Sequence, residues 1–343
     1  MFDSERTWTE INLDALASNI RNIKNLLKPE TKLLGVVKAD AYGHGASKIS
    51  NAIYKEADCF AVALLEEAKE LRLSGIDKDI LILTPVYYKD VSVAVFYNFI
   101  LTVDNFNTLK MIESECAKQN RKVKVHLKFN TGMNRLGVDA LKQLNGLCQH
   151  VFNSKHLILD GMFSHLGCPE NKKDTKTAEN KFLLANNLIK GYNNKAICHL
   201  SASGGYLQKI FGDMVRIGIL LYGYKPFESD FVSVKPIMKV YAPLIKKRVI
   251  KVGERCLYGQ KSATTMENLW LVRCGYADGY LRKENSFSFN NRCMDISALK
   301  CATNTNKGVL IMENADLLAK EHGTISYEVL CSCTKRAEKI YLQ

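Results

Sequence analysis

Long apolar runs are missing from this sequence. No uninterrupted hydrophobic stretch approaches the roughly twenty residues that a membrane-spanning helix needs, so no membrane segment is expected. The N-terminus, Met1-Phe2-Asp3-Ser4-Glu5-Arg6, lacks the apolar core of a secretory signal, and a cytoplasmic location is expected. Cys-x-x-Cys is also absent. The eleven cysteines are scattered and odd in number, and the closest pair is Cys331 and Cys333. Without ligand spacing no zinc or other metal is expected. With no export signal, the thiols read as reduced and mostly buried. The net charge is +13, but the lysines are scattered, with no long basic block and no nucleic-acid motif. A solvated basic surface is the better reading, with no nucleic-acid partner. There is no repeat of fixed period and no low-complexity linker. Nor does GxGxxG follow the first apolar strand, which argues against a dinucleotide fold.

What is present is ordinary globular composition: 47% hydrophobic and 24% charged over 343 residues, suited to one large domain and a smaller one. Leu13, Leu16, Ile20, Ile23 and Leu27 recur at helical spacing, with Asp14 as the expected N-cap and Pro29 as the stop. Strands are expected at 33–37, 59–64, 80–83, 99–102, 123–129, 157–163, 196–199 and 214–220, separated mostly by helices. This is an α/β pattern. About eight such units predict a closed (β/α)8 barrel of the TIM type, with an open doubly wound sheet as the alternative. After Tyr222-Gly223 the pattern becomes β-rich, with strands expected at 234–241, 244–252, 269–273, 308–312 and 329–333.

The first strand ends at Lys38. Burying an ammonium is costly unless it is neutralised or used, and one use is an imine to an aldehyde cofactor. Other polar clusters also fall at strand ends, where a barrel carries its active site. They are His126 to Gly137, Ser164-His165-Leu166-Gly167, Ser201-Ala202-Ser203-Gly204-Gly205 and Arg216-Ile217-Gly218-Ile219. The loops after the seventh and eighth strands are a common phosphate site in this fold. Here they offer the Ser203 hydroxyl and the Gly218 and Ile219 amides.

Val37-Lys38-Ala39-Asp40-Ala41-Tyr42-Gly43-His44-Gly45 resembles the cofactor-lysine segment of the alanine racemases, which use pyridoxal 5′-phosphate. Further matches are Val215 to Gly223, Leu257-Tyr258-Gly259, Gly275 to Arg282, and Gly323 to Glu328, so the likeness runs from about Trp8 to Tyr341. The resemblance implies that Lys38 carries the cofactor and that Tyr42, Ser203, Gly218, Ile219 and Tyr327 contact its phosphate. It places Arg216 at the pyridine nitrogen and Arg135 near the phenolic oxygen and the substrate. Lys128 matches a lysine often carbamylated in the family, and His165 one that links Arg216 to the catalytic tyrosine. The implied bases are Lys38 and Tyr258, the latter from the partner subunit of a homodimer with shared active sites. Met294, with Asp295, matches a loop that receives the carboxylate of a small amino-acid substrate. The implied division is an N-terminal strand (1–10) joining the C-terminal domain, a cofactor-binding barrel (11–230) and a β-rich domain (231–343). The implied activity interconverts L- and D-alanine and supplies D-alanine for peptidoglycan. Alternatives are serine or a broader amino-acid range, a decarboxylase on the same barrel, or a non-catalytic cofactor carrier. Asn130 stands where the family usually has aspartate, and Ala202 and Ser326 where it has asparagine. The stretch from Arg282 to Met294 is short, and Arg292 stands two places before Met294 rather than three.

Overall fold

The computed structural model describes residues 5–258, 262–282, 291–300, 304–305 and 308–343. Gly259 and most of the short 282–294 stretch lie outside the described residues. In chain order the first strands are β1 (Trp8–Asn12), β2 (Lys32–Val36), β3 (Cys59–Val62), β4 (Ile80–Ile82), β5 (Ile100–Val103), β6 (Val123–Lys128), β7 (Leu157–Phe163), β8 (Ile197–His199) and β9 (Met214–Ile217). Between them lie α1 (Leu13–Lys24), α2 (Lys38–Tyr42), α3 (Ala46–Ala52), α4 (Leu65–Leu73), α5 (Val91–Phe96), α6 (Phe106–Lys118), α7 (Leu141–Asn153), α8 (Lys172–Tyr192) and α9 (Ser203–Leu207).

Eight of these strands form one parallel sheet in the order β8-β7-β6-β5-β4-β3-β2-β9. Its two ends meet where Ala202 bridges Arg216 and the Arg216 N–H donates to Ser201 O at 3.0 Å, so the sheet closes into the expected barrel. Both faces of the strands are covered, as a parallel sheet requires. Ile80–Ile82, Ile100–Val103 and Met214–Ile217 are buried at every position. The outer helices are amphipathic. In α7, Leu144, Leu147, Cys148 and Val151 face inward at three- and four-residue steps, and each buried leucine stabilises the fold by about 1.5–3 kcal/mol.

The C-terminal strands are β10 (Met238–Ala242), β11 (Leu244–Ile250), β12 (Glu267–Val272), β13 (Asn291–Arg292), β14 (Ser297–Leu299), β15 (Asn304–Thr305), β16 (Gly308–Met312) and β17 (Glu338–Leu342). They make two sheets, β15-β16-β10-β1-β17 and β11-β12-β14-β13. β1 lies in the first of these sheets, antiparallel to β10 and parallel to β17, with Trp8 opposite Tyr241 and Glu338. One core runs from the barrel into this region, joining residues such as Leu33 and Val125 to Val240, Val309 and Leu330.

Two local expectations are corrected. The N-cap of α1 is Asn12, whose side chain accepts from Ala15 N at 2.7 Å, while Asp14 lies in the first turn. Asn12 leaves β1 in extended conformation, which aims its amide oxygen at the helix amides. Residues 329–333 are not a strand. They continue a helix, α11 (Ser326–Ser332), that follows α10 (Ala315–His322). Ser326, Val329, Leu330 and Cys333 are buried at helical spacing, a period that a short apolar run hides. All ten described cysteines are free. Among the described residues no helix is long and apolar enough to cross a membrane.

Candidate active site

β2 delivers Lys38 to the C-terminal rim of the barrel. The chain then turns left-handed. Ala39, Asp40, Ala41 and Tyr42 have φ of 52°, 52°, 53° and 55°. Each L-residue there costs roughly 1–2 kcal/mol, so the turn must be held from outside. Ala39 N–H donates to Glu67 Oε1 at 2.6 Å. Asp40 Oδ1 accepts from Ala46 N at 2.7 Å, and its other oxygen pairs with Lys339 Nζ at 3.0 Å. His44 Nδ1 lies 2.9 Å from Ala41 O and 3.0 Å from Tyr42 O, and its ring stacks on Tyr222. The result is a half-buried amine at a fixed place. Burial, with the nearby Arg135 and Arg216 charges, lowers the Lys38 pKa, while Glu67 and Cys331 raise it by less.

Arg216, at the end of β9, is buried. One terminal nitrogen donates to His199 O at 2.9 Å and meets His199 Nδ1 at 3.0 Å. The other donates to Ser164 O at 2.8 Å and Leu200 O at 3.0 Å, and meets His165 Nδ1 at 3.1 Å. Burial brings this guanidinium down to about 9. Burial and Arg216 together hold His165 well below the usual imidazole range. An arginine only donates, so both facing ring nitrogens must accept. Lys128, at the end of β6, is buried with Nζ 3.8 Å from the Phe163 ring centre. Burial, Arg216 and Arg135 keep its amine well below the ordinary lysine value. Arg135 is exposed in the loop beyond β6.

Opposite lies an anion cradle. Gly218 N–H faces Ser203 Oγ at 3.3 Å, at the start of α9. A Cβ on Gly218 would lie 2.6 Å from Tyr42 Oη, so only glycine lets the phenol reach this backbone. Tyr327, on α11, packs 5.9 Å from the Tyr42 ring. Burial raises both phenols, Tyr327 to about 12, so both remain donors. Ile219 follows Gly218 and is buried. Two phenols, one hydroxyl and adjacent amides suit a phosphate, and the Lys38 amine, with no hydrogen bond or ion pair among the described residues, suits an aldehyde. The residues present therefore fit pyridoxal 5′-phosphate.

Of the residues singled out from sequence, Lys38, Tyr42, Lys128, Arg135, His165, Ser203, Arg216, Gly218 and Ile219 come together on one rim, with Tyr327 joining from α11. Tyr258 and Met294 do not join them within the chain. Tyr258 is 72% exposed and Met294 53% exposed, and among the described residues no hydrogen bond or ring contact ties either side chain to Lys38. Sequence reasoning missed His199 and Tyr222. His199 ends a three-residue strand and Tyr222 reads as core, so neither carries a local signal.

A (β/α)8 barrel with a lysine at the rim of its first strand, a phosphate cradle after the last two strands and a β-rich appendix defines a class: the pyridoxal-phosphate-dependent barrel enzymes. The profile of the alanine racemase N-terminal domain matches residues 11–226, and that of the alanine racemase C-terminal domain matches residues 237–341. The chain belongs to the alanine racemase family, whose members are isomerases. Similar proteins include an alanine racemase of Staphylococcus epidermidis, 30% identical over 363 residues that cover 98% of this chain and 94% of that one. The solved alanine racemase of Clostridium difficile 630 is 30% identical, with TM-score 0.91, over 100% of this chain and 97% of that chain. That of Bartonella henselae, described with covalently bound pyridoxal phosphate, is 26% identical with TM-score 0.84, over 99% of this chain and 100% of that chain.

Proposed function

We propose that this protein interconverts L- and D-alanine, with Lys38 holding pyridoxal 5′-phosphate, and that it works in the cytoplasm as a homodimer with shared sites. The cofactor, when bound, acidifies the α-proton of the amino acid. The single observation that carries the reading is the half-buried Lys38 amine, pushed down by burial and two guanidinium groups, beside a cradle built for phosphate.

The residues divide the work. Lys38 Nζ takes or returns the α-proton on one face. Tyr258 of a second copy does so on the other. A phenol is a weak base at neutral pH, so the Nε2–H of a neutral His165, donated to the phenolic oxygen, tunes it by favouring the phenolate. Arg216 donates and never accepts, so at the ring nitrogen it keeps a proton off that atom and restrains the electron sink. Tyr42, Tyr327, Ser203, Gly218 and Ile219 bind the phosphate. The neutral Lys128 amine takes up carbon dioxide and loses a proton to become a carbamate, whose charge orients Arg135 toward the substrate. Met294 covers the substrate carboxylate. Residues 11–230 then serve as the cofactor unit, and 231–343 with the N-terminal strand as the unit that supplies Tyr258.

Incubation with each L-amino acid and assay of the D product tests the reading. Alanine is expected to turn over best. A preference for serine would leave the chemistry and replace the substrate. Borohydride reduction of the loaded protein should fix the label on Lys38, and label on another lysine would remove the cofactor assignment.

A further inference from the structure

Arg216 is a buried cation without a carboxylate beside it among the described residues. Its acceptors are backbone carbonyls and two imidazole nitrogens. One of these imidazoles begins a chain that crosses the barrel interior. His199 Nε2 lies 2.9 Å from His126 Nδ1, and His126 Nε2 lies 3.0 Å from Asp160 Oδ2.

The proton positions along this chain follow from its ends. The guanidinium only donates, so His199 Nδ1 accepts and its proton sits on Nε2. That proton points at His126 Nδ1, which must accept in turn. The His126 proton then sits on Nε2 and points at Asp160. A proton on His126 Nδ1 would set two N–H groups head to head. Burial and the Arg216 charge hold His199 well below the imidazole range, in keeping with a neutral ring.

The backbone is shaped for this contact. β6 and β7 pair Val125 with Leu159 and His126 with Gly161, so Asp160 is an extra residue in the ladder. Such a bulge re-aims a side chain. A Cβ on Gly161 would lie 2.8 Å from two His126 ring atoms and 2.3 Å from Ile197 O, so the ring needs glycine there. Lys124 Nζ approaches Asp160 Oδ1 at 3.9 Å from outside.

We infer that Asp160 is a positioning residue for Arg216, acting through His126 and His199 to keep His199 Nδ1 an open acceptor aimed at the guanidinium. The functional side of this inference rests on the reading of Arg216 as the group facing the cofactor ring. The structural side does not.

The test uses full-length protein labelled with 15N-histidine, free of cofactor, with signals assigned by His126→Gln and His199→Gln. Both rings should show the Nε2–H tautomer alone. Asp160→Leu should leave His126 as a mixture of tautomers, so that it no longer holds His199 in place, and, in the loaded enzyme, lower kcat about tenfold, which corresponds to about 1.4 kcal/mol. Asp160→Asn keeps an acceptor oxygen, so it should keep the wild-type tautomers and rescue kcat. A wild-type His199 protonated on Nδ1 would overturn the inference, and so would Asp160→Leu with wild-type tautomers and rate. If Asp160→Leu does not fold, the wild-type spectrum and the Asn variant still decide. Failure of the racemase reading would appear separately, as wild-type protein with the expected tautomers that turns over no amino acid.

Discussion

His44 shows how one side chain ties the site to the stability of the molecule. Its ring is buried, holds two carbonyls of the left-handed turn and stacks on Tyr222. Burial brings it down to about 4, whereas an unfolded histidine titrates near 6.5. Between those values the unfolded chain binds more protons than the native one. Stability is therefore fully present above about pH 6.5 and is lost as the pH falls toward 4. The gap amounts to about 3 kcal/mol for this one group. Urea unfolding at pH 7 and pH 4.5 should show wild type losing more stability on acidification than His44→Gln, by about 2–3 kcal/mol. Equal losses in the two proteins would mean that His44 does not titrate as described. His165 and His199, also buried and held low, add to the acid sensitivity of both proteins and cancel in the difference.

At the scale of elements, the turn after β2 and the helix α11 depend on each other. Gly43 has φ of 81°, and a Cβ there would lie 2.1 Å from Thr334 Oγ1 and 2.5 Å from Leu330 O. Gly43→Ala therefore sets a left-handed penalty on top of a clash with a helix carbonyl. The expected outcome is a loss of about 2 kcal/mol or more of stability and weaker uptake of pyridoxal phosphate, read by thermal unfolding and by cofactor absorbance. Both readouts should move together, because displacing α11 carries Tyr327 away from Tyr42. Wild-type affinity in a destabilised variant would show that α11 does not hold the cradle. This coupling also separates what could be read in the sequence from what could not. The barrel strands were legible because they are short apolar runs ended by turn residues, as in 80–83, or alternate apolar with polar residues, as in 123–129. Lys38 and Ser203 were singled out because they follow the ends of such runs, and Arg216 because a charge interrupts one. The left-handed turn was not legible, since alanine and tyrosine carry no signal for positive φ and only Asp40, Gly43 and Gly45 hint at it. α11 was misread because a five-residue run with four apolar residues, 329–333, fits a strand as well as a helix until its partners are known. The link from Asp160 to Arg216 was hidden by a single-residue bulge, which shifts register without leaving a composition signal.

At the scale of the whole molecule, the proposed two-sided proton transfer needs a second copy of the chain. Lys38 lies at the barrel rim, while Tyr258 and Met294 stand exposed on the β-rich part, which also exposes Tyr276 and Leu281. Closed two-fold dimers are the commonest way for a chain to cover part of its surface with its own copy. If Lys38 of one copy works with Tyr258 of the other, two inactive variants should rescue each other. Lys38→Ala protein keeps a working phenol, and Tyr258→Phe protein keeps a working amine. Unfolded, mixed in equal amounts and refolded with cofactor, half the dimers would be mixed, and each mixed dimer would hold one intact site and one doubly altered site. The expected activity is then about a quarter of wild type, against a near-zero sum for the two variants alone. The measurement is direct racemisation of alanine, with subunit exchange checked by mass-tagging one variant. If tagged mixed dimers form and activity does not return, both bases belong to a single chain, and Tyr258 must reach Lys38 by a rearrangement of the β-rich part rather than across a two-fold axis.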